Sequence, residues 1–160
     1  MSWRRSARGF TFVELIVTLA IMAVLAVVSV PMAQLAHQRQ REHELRFALI
    51  EIRSAVDAYK RAVEQGRVAQ RVGDSGYPPK LQTLVDGVDD QRSPSKRKIF
   101  FLRRIPRDPM HEDHDLDAAA TWGLRSYAST ADDPRAGDDI YDVYSMSDKK
   151  GLNGVAYQSW

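Results

Sequence analysis

Glu14 is the single ionisable side chain in a run of 21 residues from Phe10 to Val30. As an α-helix this run would be ~31 Å long at 1.5 Å per residue, close to the roughly 30 Å hydrocarbon core of a bilayer. A carboxylate inside such a segment costs about 2.5–3.5 kcal/mol on insertion scales unless it lies near the interface or is paired. A cut between Gly9 and Phe10 would supply the partner. It frees an α-ammonium at Phe10, four residues before Glu14, and leaves the acid in the first turns of a helix, where negative charge is favourable. Gly9, Phe10 and Glu14 thus combine a processing point, a new amine and an acid able to neutralise an amine.

Arg4, Arg5 and Arg8 precede the run. By the positive-inside rule they hold the N-terminus in the cytoplasm and send the rest of the chain across the membrane. This basic leader, Gly9, and then Phe10-Thr11-Phe12-Val13-Glu14-Leu15-Ile16-Val17 resemble the class III signal of type IV pilins and type II secretion pseudopilins. The resemblance implies cleavage after Gly9 by a prepilin peptidase, N-methylation of Phe10, and assembly into a helical filament. In that filament Glu14 of one subunit would meet the Phe10 amine of a neighbour. The plainer reading is an uncleaved anchor whose Glu14 snorkels to the interface. A conventional secretory signal fits less well, since its apolar region spans about 7–15 residues before a small-residue cut.

Other chemistry-bearing residues are weaker. His111-Glu112-Asp113-His114-Asp115 has histidines three apart, not four as in the zinc-protease helix, and reads as a solvated acidic loop with no metal assigned. Lys96-Arg97-Lys98 lacks interleaved aromatics and a basic domain around it, so no nucleic-acid partner is expected. No nucleophile and base pair, phosphate-binding glycine loop or zinc spacing supports an enzyme.

The elements that must position these residues follow from composition and periodicity. With 160 residues, less a leader and a membrane helix, the chain has room for one small folded domain. The formal charge of +2 falls to −1 once the three leader arginines are removed. There is no cysteine, so an exported domain holds together without disulfides. Pro31 follows the apolar run and predicts a kink near Val27 to Pro31. Gln34 to Glu44 is polar and reads as a solvated helical segment outside the bilayer, its basic side chains able to touch lipid heads. Leu45, Ala48, Leu49, Ile52, Ala55, Val56, Tyr59, Ala62 and Val63 recur at three- and four-residue steps and predict one apolar helix face, with Gly66 as the stop. Arg46, Glu51, Arg53, Asp57, Lys60 and Arg61 predict the solvated face. If Phe10 to Gln65 is one interrupted helix, its 56 residues extend roughly 84 Å.

Downstream, Leu81, Leu84 and Val85 predict a short helix, and Asp89 to Lys98 a mobile loop. Ile99-Phe100-Phe101-Leu102 reads as buried. Residues 121–127 and 140–146 predict an antiparallel hairpin, and Val155 to Trp160 either a third strand or a folded-back tail with Trp160 buried. Two further segments, Tyr77-Pro78-Pro79 with its following leucines and Phe101-Leu102-Arg103-Arg104-Ile105-Pro106-Arg107-Asp108-Pro109, are similar to segments of major pseudopilins. The last loop, Ser147 to Gly154, occupies the place of the calcium loop of those proteins. Here Asp148 is its single carboxylate, and Lys149 and Lys150 would repel a cation. Unless Asp138, Asp139 or Asp142 compensates, calcium is unsupported, and a turn held by Gly151, Asn153 and Gly154 is the preferred reading.

The expected fold class is therefore α+β and pilin-like: a long N-terminal helix packed on a small antiparallel sheet. The expected divisions are a cleaved leader, 1–9; a transmembrane and filament-core helix half, 10–30; an amphipathic helix half, 31–66; and a small periplasmic domain, 67–160. The resemblance implies a structural pseudopilin of a type II secretion system in the bacterial inner membrane; no cofactor is expected, because the last loop does not support the calcium that the resemblance would allow. Its implied partners are other copies of itself, a prepilin peptidase, an inner-membrane assembly platform, minor pseudopilins and the lipid bilayer. Two alternatives stay open: a type IV pilin-like subunit for adhesion, motility or DNA uptake, and a membrane-anchored periplasmic binding or enzymatic domain.

Overall fold

A computed structural model describes residues 9–95 and 97–160. The leader arginines Arg4, Arg5 and Arg8, and Lys96 of the basic cluster, lie outside the described residues. The chain divides into two compact units, the first ending at Arg39 and the second running from Gln40 to Trp160.

One helix, α1 (Phe12–Glu64), contributes to both units. Its start is set by Thr11, whose Oγ1 accepts the Glu14 N–H at 3.2 Å, while the Thr11 carbonyl accepts the Leu15 N–H at 3.1 Å. Thr11 and Glu14 thereby occupy the first and last positions of an S/T-x-x-E capping sequence, and the acid lies in the first turn, where it complements the helix dipole. The helix continues through Pro31 without a break in assignment, so the proline does not end it. Its C-terminus is a Schellman closure, in which Gly66 N–H donates to the Val63 carbonyl at 2.8 Å and Arg67 N–H to the Ala62 carbonyl at 2.9 Å. Gly66 supplies the required positive φ of 67°.

In the second unit all nine apolar residues of the predicted α1 face, Leu45 to Val63, are buried. Leu45 and Ile52 are fully inaccessible, and burying such a side chain is worth about 1.5–3 kcal/mol. They pack with Leu81 and Leu84 of α2 (Leu81–Asp86) and with Leu102, Met110, Trp122, Ile140, Val143 and Tyr157 in one core.

Residues Val88–Asp89 (β1) and Lys98–Ile99 (β2) pair antiparallel, Val88 opposite Ile99. The stretch expected to be a mobile loop is thus bounded by a ladder. Phe100 is corrected as well: it is 64% exposed, whereas Leu102 is buried. The N–H groups of Phe101 and Leu102 both donate to the Leu84 carbonyl at 3.0 Å, which ties the backbone to the end of α2 and turns the Phe100 ring outward.

Trp122–Arg125 (β3) and Asp142–Ser145 (β4) form the predicted antiparallel pair, with Trp122 opposite Ser145 and Arg125 opposite Asp142. Gly123 is required because the Tyr144 ring lies where its Cβ would be. Between the two sheets the Phe101 to Pro109 segment is pinned by buried polar contacts. Trp122 Nε1 donates to the Pro106 carbonyl at 2.8 Å. The Asp108 carboxylate accepts from the Ser145 hydroxyl at 2.6 Å and from Met110 N–H at 2.8 Å. A buried carboxylate is tolerable only with such donors. The last residues fold back rather than adding a full strand: Lys150 and Ala156 form an isolated bridge, and Tyr157–Ser159 is a 3-10 turn. Trp160 is half-buried against the core.

Candidate functional site

The residues with the strongest sequence signal lie at the N-terminal end of the described chain. From Gly9 to Val27 every residue is exposed, and the large apolar side chains of Phe12 to Val27 are 50–77% exposed. Phe12–Glu64 is the one helix among the described residues long and apolar enough to cross a membrane, and none of its most apolar stretch is buried within the chain. Leaving so much apolar surface in water is strongly unfavourable; lipid or other copies of the helix must cover it. Glu14 stands on this surface, exposed, at the third position of α1. Gly9 precedes the helix, and no atom lies within 4 Å of the position its Cβ would take. Gly9, Phe10 and Glu14 therefore lie within six consecutive residues and one capped turn.

The last loop is built on opposite principles. Gly151 N–H donates to the Val155 carbonyl at 2.9 Å, Gly154 N–H to the Gly151 carbonyl at 2.9 Å, and Val155 N–H to Asn153 Oδ1 at 3.1 Å. Gly154 has a φ of 78°. Gly151, Asn153 and Gly154 thus hold the turn, and the Gly151 and Lys149 carbonyls accept the Gly154 and Tyr157 N–H groups.

The carboxylates that could complete a calcium shell are committed elsewhere. Asp142 takes Arg53 Nε on one oxygen at 2.7 Å and Arg125 on the other at 3.3 Å. Asp139 accepts from the Ser126 hydroxyl at 2.6 Å and from Tyr127 N–H at 2.9 Å. Burial acts to raise the pKa of Asp139, and the hydrogen bonds from Ser126, Ser75 and the Tyr127 amide outweigh it, holding the carboxyl below its ordinary range. Asp138 and Asp148 are exposed. Calcium wants six to eight oxygens at one point, and these side chains do not fit it.

In the histidine segment, His111 Nδ1 accepts Asp113 N–H, Asp113 accepts Asp115 N–H, and Glu112 pairs with Lys149. That pairing is the first cause holding the Glu112 carboxyl below its usual value. Among the described residues no three His, Cys, Asp or Glu side chains form a metal-binding group.

Two α1 residues act where the sequence pattern assigned only solvent. Glu42 Oε1 accepts Leu152 N–H at 2.8 Å and the Tyr157 hydroxyl at 2.9 Å. Arg53, on the charged face, reaches Asp142, the Val143 carbonyl and the Trp160 main-chain oxygen. The helical spacing of Glu42 and Arg53 from the apolar face was a usable signal. Their partners were not, since they lie 107–110 positions away for Leu152 and Trp160.

A prokaryotic N-terminal methylation motif is recognised over residues 4–30. Along most of its length the chain is similar to three proteins named type II secretion system core protein G. The protein from Klebsiella michiganensis is 27% identical over 143 residues, 86% of this chain and 93% of that protein. The one from Dickeya chrysanthemi is 26% identical over 158 residues, 94% and 96% of the two chains. The one from Escherichia coli K12 is 26% identical over 149 residues, 89% and 94%. No solved structure matches the chain significantly. A methylation motif at the start of a long helix, with a small α+β body behind it, is thus joined by similarity to type II secretion system core protein G through both parts of the chain.

Proposed function

We propose that the chain is a structural subunit that polymerises into the periplasmic filament of a type II protein secretion system. The observation that carries this reading is the pairing of an apolar stretch exposed from Phe10 to Val27, bearing Glu14, with similarity to core protein G along most of the chain. The subunit waits in the inner membrane as a single-pass protein, its C-terminal domain in the periplasm. A prepilin peptidase cuts after Gly9, the Phe10 amine is freed and methylated, and an inner-membrane assembly platform draws subunits into the filament.

Burial of the Phe10 to Val30 helices against one another then replaces burial in lipid. Glu14 registers each incoming subunit through the amine of a neighbouring Phe10, a charge pair strengthened by the low-dielectric surroundings. Pro31 loosens the helix between the packed filament core and the amphipathic half, since it lacks the N–H for an i→i−4 bond. The protein acts by polymerising, not by catalysis.

Deleting the subunit in its own bacterium tests the assignment. Secretion of type II cargo should stop, while motility and transformation continue. Retained secretion with lost motility or transformation would assign the chain to a pilus instead.

A further inference from the structure

We propose that the last loop is fastened to α1 by the Glu42 carboxylate in the position where a bound cation would otherwise order it, so that the folded domain is independent of calcium. The loop's polarity is inverted relative to a cation site. A cation site turns carbonyl and carboxylate oxygens toward one point. Here two donors, Leu152 N–H and the Tyr157 hydroxyl, converge on the single oxygen Oε1 of Glu42. The ligand that the loop surrounds is an anion, and the chain supplies it from 110 residues upstream.

Glu42 belongs to a stripe on α1. Four residues on, the Arg46 guanidinium lies over the Trp160 ring, 4.5 Å from its centroid. Eleven residues on from Glu42, Arg53 donates to the Trp160 main-chain oxygen at 2.7 Å and to the Val143 carbonyl at 3.2 Å. Positions i, i+4 and i+11 share one helix face, so three charged side chains grip the terminal segment along its length.

Glu42 is only 8% exposed, and a carboxylate so placed stabilises a fold when its hydrogen bonds are made and is costly when they are not. The loop's own charge agrees with this polarity: Lys149 and Lys150 flank the turn, and Lys149 pairs with Glu112. The inference concerns the folding of the chain and stands whether or not the chain polymerises.

The test uses the full-length protein in detergent micelles. Thermal unfolding is followed in EGTA and in millimolar calcium chloride, and hydrogen exchange is followed at the Leu152 amide. The expected result is a midpoint unchanged within about 1 °C between the two conditions. A cation present at 100 times its Kd would instead raise the midpoint by about 10 °C, and a rise of several degrees would overturn the proposal. Glu42→Ala should lower the midpoint by about 5 °C and speed exchange at Leu152 about tenfold. Should that variant fail to fold, Glu42→Gln and Tyr157→Phe decide, since each keeps the packing and weakens only the carboxylate contact. Exchange at Leu152 should quicken in both; unchanged exchange in both would overturn the latch.

Discussion

The two halves of α1 are the same element under opposite rules. Between Phe12 and Val27 the helix is apolar on all sides and exposed on all sides. Between Leu45 and Val63 it is apolar on one stripe, and that stripe is buried. A helix that is hydrophobic all round must find its cover outside the chain; an amphipathic one finds it within. The first half stores an interaction with lipid or with other copies, and the second half spends its apolar face on folding. The lone acid of the first half, Glu14, is exposed, and in the proposed filament its partner is the Phe10 amine of a neighbouring copy, whereas the charged residues of the second half, Glu42 and Arg53, have partners within the chain.

The strongest way to break this comparison is Glu14→Ala. It should leave processing and folding intact and reduce filament yield at least about tenfold, the loss of one buried charge pair worth more than 1.4 kcal/mol. Immunoblots of sheared filaments against total membrane protein would show it, and normal filaments would sink the role given to Glu14. In the second half the sensitive change is Ile52→Ala, which leaves a cavity in the core. It should cost about 2–4 kcal/mol and lower the unfolding midpoint by on the order of 10 °C, with processing still normal.

Arg53→Met is expected to be milder, about 1 kcal/mol, because Asp142 keeps Arg125 and the pair is partly solvated. Ile50→Ala sharpens the contrast between the faces of one helix. Ile50 is 60% exposed two residues from the fully buried Ile52, and its loss should change stability by no more than about 0.5 kcal/mol in the isolated subunit.

The smallest effect is set by pH. Arg67 donates two hydrogen bonds to Asp90, and the pair holds the Asp90 carboxyl below its ordinary value. A depressed carboxyl contributes stability that is present above its unfolded pKa and is lost as the pH falls through its folded pKa. Unfolding midpoints should therefore fall slightly on acidification below the normal carboxylate range, and less so in Asp90→Asn.

Periodicity made the helix legible. All nine apolar positions of the second half and the Gly66 stop could be read because each depends on neighbours three or four residues away. The strands β3 and β4 were legible from their aromatic and β-branched residues. The ladder between β1 and β2 was not, since two-residue strands containing Asp89 and Lys98 carry no alternating pattern. Phe100 misled because an apolar run does not say which ring faces out; the Leu84 carbonyl decides that.

The partners of Glu42 were hidden most thoroughly. This residue sits in a polar stretch, and only the folding back of Leu152 and Tyr157 gives its carboxylate an environment. The proposed processing point is the opposite case: Gly9, Phe10 and Glu14 lie within six consecutive residues, so the proposal for them rests on local sequence and needs no long-range contact.

The central claim is that the leader is removed after Gly9, so that the chain beginning at Phe10 supplies the first half of α1 to the core of a filament. The intact mass of the membrane-extracted protein tests it most directly. The predicted mass lacks residues 1–9 and carries one additional methyl group on the chain that begins at Phe10. A chain retaining its leader in cells that secrete normally would contradict it, leaving an uncleaved anchor with a snorkelling acid.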